Sequence, residues 1–370
     1  MNILIVSPDY PTERRTKYQF VKELVSAFVA HGHDCFVLSP YSVTKNRSFC
    51  PYMTSSEGVS MCRPNYLSFS TLKVAGFSPT YALRKRALYK ALRGMDFRPD
   101  VVYAHFWEAA EWVYDYARAN HLPLFVASGE SVISNLFDLS RLTKDFADYV
   151  SGVICVSRKN MEESVSLGLT SAEKCVVLPN ATDRSLFRKM DKAQCRSELG
   201  VPQNAYVVAF VGAFCERKGV RRLSAAIDRI KALPVHSFFI GNGEEMPSCG
   251  NILFVGPLPH ERIPVYLNAA DVFVLPTLHE GCCNAVVEAL ACGLPVISSD
   301  LPFNWDVLNK DNSIMVDPTD VEAIAEAIVA LSDAEKRRLY ADHALASVDD
   351  VSIEKRAEDI LRFIQSRMSV

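Results

Sequence analysis

DVFVLPTLHEGCCNAVVEALACGLPVISSD, residues 271–300, has the pattern strand, loop, helix, strand. A short apolar run passes into a polar loop that carries Glu280. A helix is then expected from about Asn284 to Cys292, and a second apolar run begins after Gly293. Nearly continuous apolar runs joined through a helix are typical of buried parallel strands. The stretch therefore predicts a unit of the α/β class.

The same alternation of strands and helices occurs twice along the chain. It opens at NILIVS, residues 2–7, and starts again at AYVVAFVG, residues 205–212, after a polar connection near residues 181–200. A chain of 370 residues is also longer than one hydrophobic core usually serves. We therefore expect an α/β protein of two tandem Rossmann-like domains, residues 1–182 and 183–352, with a ligand cleft between them.

The composition disfavours several classes of protein. With 49% hydrophobic and 22% charged residues and a net charge of -3, the chain has no general attraction to nucleic acid, and no nucleic-acid partner is expected. The 11 cysteines include no C-x-x-C pair and no Cys/His cluster at zinc-ligand spacing, which predicts reduced thiols and no metal site. The short N-terminal apolar run is interpreted as a strand and not as a signal peptide. No window approaches the roughly 18 apolar residues of a membrane span, so a cytoplasmic protein is expected.

A cluster of basic residues follows one predicted strand. In VAFVGAFCERKGVRRL, residues 208–223, Arg217 and Lys218 stand at a helix entrance, where positive charge opposes the helix dipole. A bound phosphate or diphosphate would remove that conflict, and a solvated basic surface is the alternative interpretation. IGNGEE, residues 240–245, is a further glycine-rich strand end.

Two carboxylates, Glu280 and Glu288, bracket the start of the helix in the opening stretch. Gly281 permits close approach of a ligand to the backbone, and the first N–H groups of a helix form an anion site. The alternative is that Glu288 only favours the helix dipole and that Glu280 is solvated. This loop alone leaves both interpretations open.

Several blocks of the sequence together resemble one family. PTLHEGCCNAVVEALACGLPVISSD resembles the E-x(7)-E signature of retaining glycosyltransferases of family 4. Other blocks of that family are matched in order and at plausible spacing by LPNATDRSLF (178–187), VGAFCERKG (211–219), IGNGE (240–244) and LPHERIPVYLNAADVFVLP (258–276). The resemblance covers nearly all of the second half of the chain and, more loosely, the first half.

The resemblance implies the GT-B fold, with the nucleotide-sugar bound mostly by residues 183–352. Residues 1–182 would then be the acceptor-side domain, and the amphipathic helix within 353–370 would pack back on it. The implied activity is transfer of a sugar, with retention, from a UDP- or GDP-sugar to a glycan or lipid-linked acceptor in cell-surface polysaccharide assembly. The E-x(7)-E block disfavours a sugar-nucleotide epimerase of the same fold. A non-catalytic partner that binds a nucleotide-sugar or glycan stays as the alternative.

The resemblance also assigns roles to residues. Lys218 and Arg217 would bind the donor diphosphate and stabilise charge on the leaving group without a metal ion. Glu288 would accept hydrogen bonds from the ribose hydroxyls, and Glu280 would lie beside the donor sugar. The other implied donor-site residues are Gly212, Asn242, Gly281, Cys282, Cys283 and Asn284. The two cysteines among them are expected to pack against neighbours and to contribute through their backbone.

The chain departs from the family pattern in several places. Ala213 stands where many members have an arginine, and Arg217 is the expected substitute. The first loop, SPDYPTERRTKYQF, lacks the usual Gly-Gly pair, and Thr16 and Lys17 stand near its position. The histidine that many members carry after the strand LFVAS is absent.

Three features of the first half of the chain have two interpretations each. Ser128 or Glu130 would take the polar role of the missing histidine, and Glu130 either orients an acceptor hydroxyl or caps the helix that follows it. His105, at the end of the strand VVYAH, either acts at the acceptor or is a structural histidine. The basic segment 80–94 either makes a peripheral membrane contact or is the solvated face of a helix.

Overall fold

The structure is a computed structural model that describes residues 1–11, 18–50, 52–56, 58–69, 78–135, 141–348 and 352–368. The chain forms two compact units, Met1–Leu178 with Ala357–Val370, and Pro179–Arg356. None of the helices in the described ranges has the length and apolar character that crossing a bilayer needs.

The first unit is built around one eight-stranded sheet. Its elements are β1 (Asn2–Val6), α1 (Gln19–Ala30), β2 (Asp34–Leu38), β3 (Tyr41–Ser42), α2 (Val43–Asn46), β4 (Met53–Ser56), β5 (Val59–Cys62), β6 (Asn65–Tyr66), α3 (Pro79–Arg93), β7 (Val101–His105), α4 (Trp107–Ala119), β8 (Leu124–Ser128), α5 (Lys144–Tyr149), β9 (Gly152–Cys155), α6 (Arg158–Ser166) and β10 (Cys175–Val177). The strand order is β10-β9-β8-β7-β1-β2-β5-β4, and β3 pairs separately with β6. Within the eight strands the pairs are parallel except β4 with β5.

The second unit is built around a six-stranded parallel sheet. Its elements are α7 (Lys192–Leu199), β11 (Tyr206–Val211), α8 (Val220–Arg229), β12 (Val235–Ile240), β13 (Ile252–Gly256), α9 (Ile263–Ala269), β14 (Val272–Leu275), α10 (Asn284–Ala291), β15 (Val296–Ser299), β16 (Ser313–Val316), α11 (Val321–Ala330), α12 (Ala334–Ala346) and the start of α13 (Ile353–Met368). Short 3-10 turns at Glu216–Lys218 and His260–Arg262 precede α8 and α9. The strand order is β13-β12-β11-β14-β15-β16.

The apolar runs of the sequence form the central strands of both sheets. All residues of β7, β8 and β14 are buried, as expected for parallel strands that are covered by helices on both faces. The predicted α/β class with parallel sheets in two units is therefore confirmed. The helix expected from about Asn284 to Cys292 is α10, and Gly293 follows it with a φ of 75°.

The division between the units differs slightly from the predicted boundaries at 182/183 and 353. The backbone N–H of Ile353 donates to the carbonyl oxygen of Thr182 at 3.1 Å, and Nε of Arg356 donates to that of Pro179 at 2.7 Å. The first turn of α13 and the segment from Pro179 therefore hold each other within the second unit, and the chain divides at Leu178 and at Ala357.

The later part of α13 completes the core of the first unit. The rings of Phe125 on β8 and Phe363 on α13 lie 6.1 Å apart, edge to face. A Cβ atom on Gly152 at the start of β9 would lie 2.8 Å from both rings. Only glycine fits this position, because any side chain would displace one of the two aromatic rings.

Candidate functional site

The order of strands identifies one place in each sheet where a ligand site is expected. The chain order reverses between β1 and β7 in the first unit, and between β11 and β14 in the second. In open α/β sheets, ligands bind beyond the carboxyl ends of the strands at such a switch point. The loops after β11 and β14, residues 212–219 and 276–283, contain the basic cluster and Glu280 of the sequence.

The loop after β11 packs closely against the loop after β14. Gly219 has a φ of 77°, and a Cβ atom there would lie 2.4 Å from the carbonyl oxygen of Pro276. The N–H of Leu278 donates to the carbonyl oxygen of Arg217 at 2.8 Å. The two loops are thus joined through their backbones, and a side chain on Gly219 would separate them.

The glycine-rich end of β12 supports the same loop from the other side. A Cβ atom on Gly241 would lie 1.9 Å from the carbonyl oxygen of Gly212. The carbonyl oxygen of Asn242 accepts a hydrogen bond from the N–H of Phe214 at 2.7 Å, while the side chain of Asn242 is exposed. Gly212 and Asn242 therefore shape the loop through their backbone atoms.

Lys218 and Glu280 form the centre of the site. Nζ of Lys218 lies 2.7 Å from Oε1 of Glu280, and the guanidinium of Arg217 pairs with the same carboxylate oxygen. Oγ1 of Thr277 also donates to Glu280 at 2.9 Å. Because Glu280 is held by two cations and a hydroxyl, the interpretation of a solvated glutamate is wrong, and Lys218 is not part of a solvated surface.

The charge of Lys218 is maintained although the side chain is buried, with 9% of the residue exposed. Burial alone lowers the pKa of the ammonium group, but Cys283 and then Glu280 more than offset this, so the pKa is raised above its usual value. A buried cation that keeps its charge beyond the carboxyl ends of the strands, where a ligand is expected, is suited to bind an anion.

Glu288 is the fifth residue of α10 and therefore lies beyond the first turn of the helix. Its carboxylate is buried, and Oε1 lies 3.1 Å from Nε2 of His260 in the turn before α9. An effect on the helix dipole is confined to the first turn of a helix, so that interpretation explains little of Glu288. The sequence prediction missed His260. Its only signal was its position in the block that precedes β14.

Asn180 holds the loop that carries the two cysteines. Its side-chain amide donates to the carbonyl oxygen of Cys282 at 2.9 Å and to Oδ1 of Asn284 at 2.7 Å. The sequence prediction missed Asn180 as well, although it lies in the block LPNATDRSLF. The amide fixes the entrance of α10, where Cys283 is the N-cap residue and makes no side-chain cap hydrogen bond among the described contacts.

Both cysteines are buried. Burial raises the pKa of Cys282 to about 12, and burial also raises the pKa of Cys283. Sγ of Cys283 lies 3.6 Å from Nζ of Lys218. Because both side chains are buried, we expect the two cysteines to contribute to a ligand site through their backbone.

In the first unit, His105 ends β7 within a cluster of aromatic rings. The ring of His105 lies 5.1 Å from Tyr103 and 6.1 Å from Phe20, edge to face in both cases. The histidine is buried, with 2% exposed. The surroundings fit a packed histidine, and its predicted role at an acceptor stays a prediction.

Glu130 caps a helix, but not the one that was expected. One carboxylate oxygen accepts from the N–H of Trp107 at 2.9 Å, at the start of α4, which precedes Glu130 in the chain. The helix turn that follows, beginning at Ile133, is capped instead by Oε1 of Glu163 at 2.7 Å. The prediction that Glu130 caps the following helix is wrong, because β7 and β8 are neighbours and bring the end of β8 to the start of α4.

The remaining partners of Glu130 come from its own loop. The N–H of Gly129 donates to its second carboxylate oxygen at 3.0 Å, and Oγ of Ser128 donates at 3.2 Å. Despite these bonds, burial raises the pKa of Glu130 to about 7. Thr16 and Lys17, expected near the missing Gly-Gly pair, lie outside the described residues.

Two family models match consecutive parts of the chain. Residues 19–186 match the model described as Glycosyltransferase Family 4, and residues 205–334 match Glycosyl transferases group 1. Together they cover most of both units.

Curated relatives agree with the family models. The chain is 31% identical over 253 residues to a putative teichuronic acid biosynthesis glycosyltransferase, TuaC, of Bacillus subtilis, covering 65% of this chain and 64% of the relative. It is 35% identical over 145 residues to the lipopolysaccharide core biosynthesis glycosyltransferase LpsE of Rhizobium meliloti, covering 36% of this chain and 41% of the relative. The matched segments thus span less than two thirds of the length of these relatives.

Solved structures match over nearly the whole length. A sucrose-phosphate synthase from Thermosynechococcus elongatus has a TM-score of 0.82 at 20% identity, covering 100% of this chain and 99% of that chain. Anabaena HepE, solved in complex with UDP-glucose, has a TM-score of 0.75 at 17% identity, covering 99% and 100%. These likenesses establish the fold. The chain thus has the GT-B fold, with a glycosyltransferase family 4 domain over residues 19–186 followed by a glycosyl transferases group 1 domain over residues 205–334.

Proposed function

We propose that this protein transfers a sugar, with retention, from a nucleotide-sugar donor to a glycan or lipid-linked acceptor in cell-surface polysaccharide assembly. The observation that carries the proposal is the buried, charged Lys218 at the β11/β14 switch point, paired with Glu280 and close to the start of α10. The names of the relatives support a role in cell-surface polysaccharide assembly. One of them is a UDP-Gal:alpha-D-GlcNAc-diphosphoundecaprenol alpha-1,3-galactosyltransferase from Escherichia coli, 27% identical over 227 residues.

The donor diphosphate would bind where the cations and the helix end converge. Its negative charge would be shared by Lys218, Arg217 and the N–H groups at the start of α10. Glu280 keeps both cations in place before the donor arrives. Glu288, held by His260, would accept hydrogen bonds from the ribose hydroxyls. UDP- and GDP-sugars are the proposed donors, and UDP is favoured by the HepE complex with UDP-glucose.

The chemistry follows from this arrangement of charge. The bond between the anomeric carbon and the diphosphate oxygen breaks, and a bond from the acceptor oxygen forms on the same face. The acceptor proton passes to the departing diphosphate. Lys218 and Arg217 stabilise the charge that develops on the leaving group, and this role requires no metal ion. The protein supplies fixed charges, so the donor-binding residues are also the catalytic ones.

The alternative is a non-catalytic partner that binds a nucleotide-sugar or glycan. It is motivated by the missing Gly-Gly pair and by the absence of the family histidine, whose position is near Ser128 and Glu130. The two functions differ in one observable. A catalyst releases nucleoside diphosphate when an acceptor is present, whereas a binding partner does not.

A thermal-shift screen against UDP-, GDP- and ADP-sugars and their diphosphates tests the donor site. A ligand at one hundred times its dissociation constant stabilises a protein by about 2.7 kcal/mol, which raises the melting temperature measurably. We expect a shift with one class of nucleotide. Release of nucleoside diphosphate in the presence of membrane extracts as acceptor then tests catalysis. No shift with any nucleotide would refute the donor site.

The finer part of the proposal is a peripheral membrane contact through residues 80–94. The exposed side chains of Arg86 and Lys90 on α3 line two grooves, of about 300 and 720 Å³. The smaller groove is lined by Phe49, which is 79% exposed, and by Leu67, which is 47% exposed. Exposed apolar side chains beside basic ones suit the surface of an anionic membrane.

Sedimentation with liposomes of anionic and of neutral lipids tests the membrane contact. We expect binding to anionic liposomes that is weakened by Phe49→Ser and by Arg86→Glu. Leu339→Ser is the matched control, because Leu339 is 54% exposed on α12 of the second unit. Equal binding by all variants, or none by the unsubstituted protein, would leave 80–94 as a solvated helix face.

A further inference from the structure

The turn between β7 and α4 contains a residue in a strained backbone conformation. Phe106, the N-cap residue of α4, has a φ of 81° and a ψ of 161°. This combination of φ and ψ is essentially restricted to glycine, and other residues adopt it only when the surrounding structure imposes it. The turn lies at the switch point of the first unit, directly after His105.

Contacts from the neighbouring strand hold this turn. The N–H of Phe106 donates to the carbonyl oxygen of Ala127 at 3.1 Å. The next N–H, of Trp107, donates to Glu130 at 2.9 Å, and the indole N–H of Trp107 donates to Ser128 at 3.2 Å. Phe106 itself has no side-chain oxygen that could cap the helix. The carboxylate of Glu130 supplies the missing acceptor.

Glu130 is itself fixed from behind. Its backbone carbonyl oxygen accepts from the side-chain amide of Asn160 on α6 at 2.9 Å, and Asn160 is fully buried. A Cβ atom on Gly129 would lie 3.2 Å from the ring of Phe106, so the ring rests against the loop that carries the carboxylate. The strained turn and the loop 128–130 therefore determine each other's position.

We propose that Glu130 is a positioning residue that holds the β7–α4 turn, and with it His105, in the strained conformation that sugar transfer uses. The effect on sugar transfer rests on the proposed function, whereas the coupling between Glu130 and Phe106 does not depend on it. The carboxylate acts on the turn and touches neither donor nor acceptor. The helix end in the first unit is therefore occupied by the protein's own anion.

A double-mutant cycle tests the coupling. Phe106→Ala keeps the backbone strain, whereas Phe106→Gly removes it because glycine adopts this conformation without steric conflict. We expect Glu130→Gln to lower the melting temperature less in the Phe106→Gly protein than in the Phe106→Ala protein. The matched control is Glu163→Gln, which removes the charge from the cap of another turn of the same unit and should lower the temperature equally in both. An equal effect of Glu130→Gln in both backgrounds would overturn the proposal.

A spectroscopic titration separates positioning from general stabilisation. The charged or titratable groups near Glu130 are Tyr18 before α1, Cys155 on β9, Lys159 on α6, which donates to the carbonyl oxygen of Ser131, and His105 and Glu108, which flank Phe106 and Trp107 in the chain. Burial, followed by Asp9, Glu108 and Glu130, raises the pKa of Tyr18 to about 12. A hydrogen bond with Cys175 and burial raise the pKa of Cys155 as well, so both stay neutral near pH 7.

The fluorescence of Trp107 reports on the turn, measured with Trp112→Phe and Trp305→Phe so that Trp107 remains as the single one of the three tryptophans. We expect a transition near pH 7 that persists in His105→Asn and disappears in Glu130→Gln. If Glu130→Gln does not fold, Ser128→Ala, which removes one bond to Trp107, should shift the transition. A transition that persists in Glu130→Gln, or one that disappears in His105→Asn, would overturn the proposal.

Activity links the turn to function. Glu130→Gln should lower turnover at least tenfold while nucleotide-induced thermal shifts, which report on the second unit, stay unchanged. If the unsubstituted protein shows no nucleotide shift, the proposed function fails and the cycle still decides the coupling. Normal turnover in Glu130→Gln would refute the functional consequence.

Discussion

The residue with the most consequences is Lys218, because it combines burial with a retained charge. Its ammonium group is shared between Glu280 and the sulfur of Cys283. Removing it leaves Glu280 paired with Arg217 alone, at the place where a diphosphate is expected. We therefore expect the side chain to contribute more to ligand binding than to the fold.

Lys218→Ala should weaken nucleotide binding by about 1.5–3 kcal/mol, the contribution of a hydrogen bond to a charged group, and should abolish turnover. Isothermal titration with the nucleotide found in the thermal screen measures this. Lys231→Ala is the control, since Lys231 is exposed just after α8 and should behave as the unsubstituted protein. Unchanged affinity in Lys218→Ala would remove the diphosphate assignment.

Glu288 and His260 are expected to act as a pair. Glu288→Ala should weaken donor binding by roughly 1–3 kcal/mol, and His260→Ala by about 0.5–1.5 kcal/mol, because His260 acts through the carboxylate. In the double variant the loss should equal that of Glu288→Ala alone. Additive losses would show that His260 contacts the ligand independently of Glu288.

Glu130 gives the stability of the protein a predictable dependence on pH. Its pKa is about 7 in the folded protein and 4.5 in its ordinary state, so the folded protein binds the proton more tightly. Below pH 4.5 the carboxyl group of Glu130 is protonated in both the folded and the unfolded state, so it does not make the stability depend on pH. Above that pH the folded state loses stability until pH 7, by on the order of 3 kcal/mol.

Urea unfolding at several pH values, for the unsubstituted protein and for Glu130→Gln, measures this contribution as the difference between the two curves. We expect the advantage of the unsubstituted protein over Glu130→Gln to shrink as the pH rises from 4.5 to 7. A constant difference across this range would mean that the pKa of Glu130 is not raised.

At the scale of elements, two helix starts that follow switch-point strands are capped differently. The start of α4 receives the carboxylate of Glu130, whereas the N-cap residue of α10, Cys283, adds no side-chain bond among the described contacts. The first arrangement places a carboxylate of the protein at a helix end, and we expect the second to leave the α10 end for a ligand anion. The same supersecondary unit would then serve two purposes in one chain.

The loop after β11 depends on one glycine. Gly219→Ala should abolish nucleotide binding and destabilise the protein, because the methyl group would meet the carbonyl oxygen of Pro276 at 2.4 Å. Gly168→Ala is a matched control, since Gly168 has a φ of 69° and no atom within 4 Å of its Cβ position. The control should lose roughly 1–2 kcal/mol from its backbone conformation alone. Equal losses from urea unfolding would exclude a steric effect at Gly219.

Local sequence patterns predicted the elements that depend on local chemistry. The bounds of α10, the buried strands and the loops with Lys218 and Glu280 follow from apolar periodicity and glycine positions. The contacts of Glu130, His260 and Asn180 could not be predicted, because each joins residues far apart in the chain. The strain at Phe106 was equally hidden, since phenylalanine gives no signal for a positive φ.

At the scale of the whole molecule, the proposed mechanism is based on fixed cations. If Lys218 and Arg217 neutralise the leaving diphosphate, chelation of divalent ions should not reduce turnover. Release of nucleoside diphosphate in the presence of EDTA measures this. Loss of activity that a divalent ion restores would contradict the metal-free mechanism.

The path of the chain has a consequence for the order of folding. The first unit includes Phe363, which packs on Phe125 beside Gly152, although Phe363 is synthesised after all of the second unit. Domains tend to fold as their chain emerges from the ribosome. Here the first unit cannot complete its core until the residues of α13, which are synthesised last, are available. A chain shortened before Ala357 would leave that aromatic slot exposed, and its first unit would be prone to aggregate.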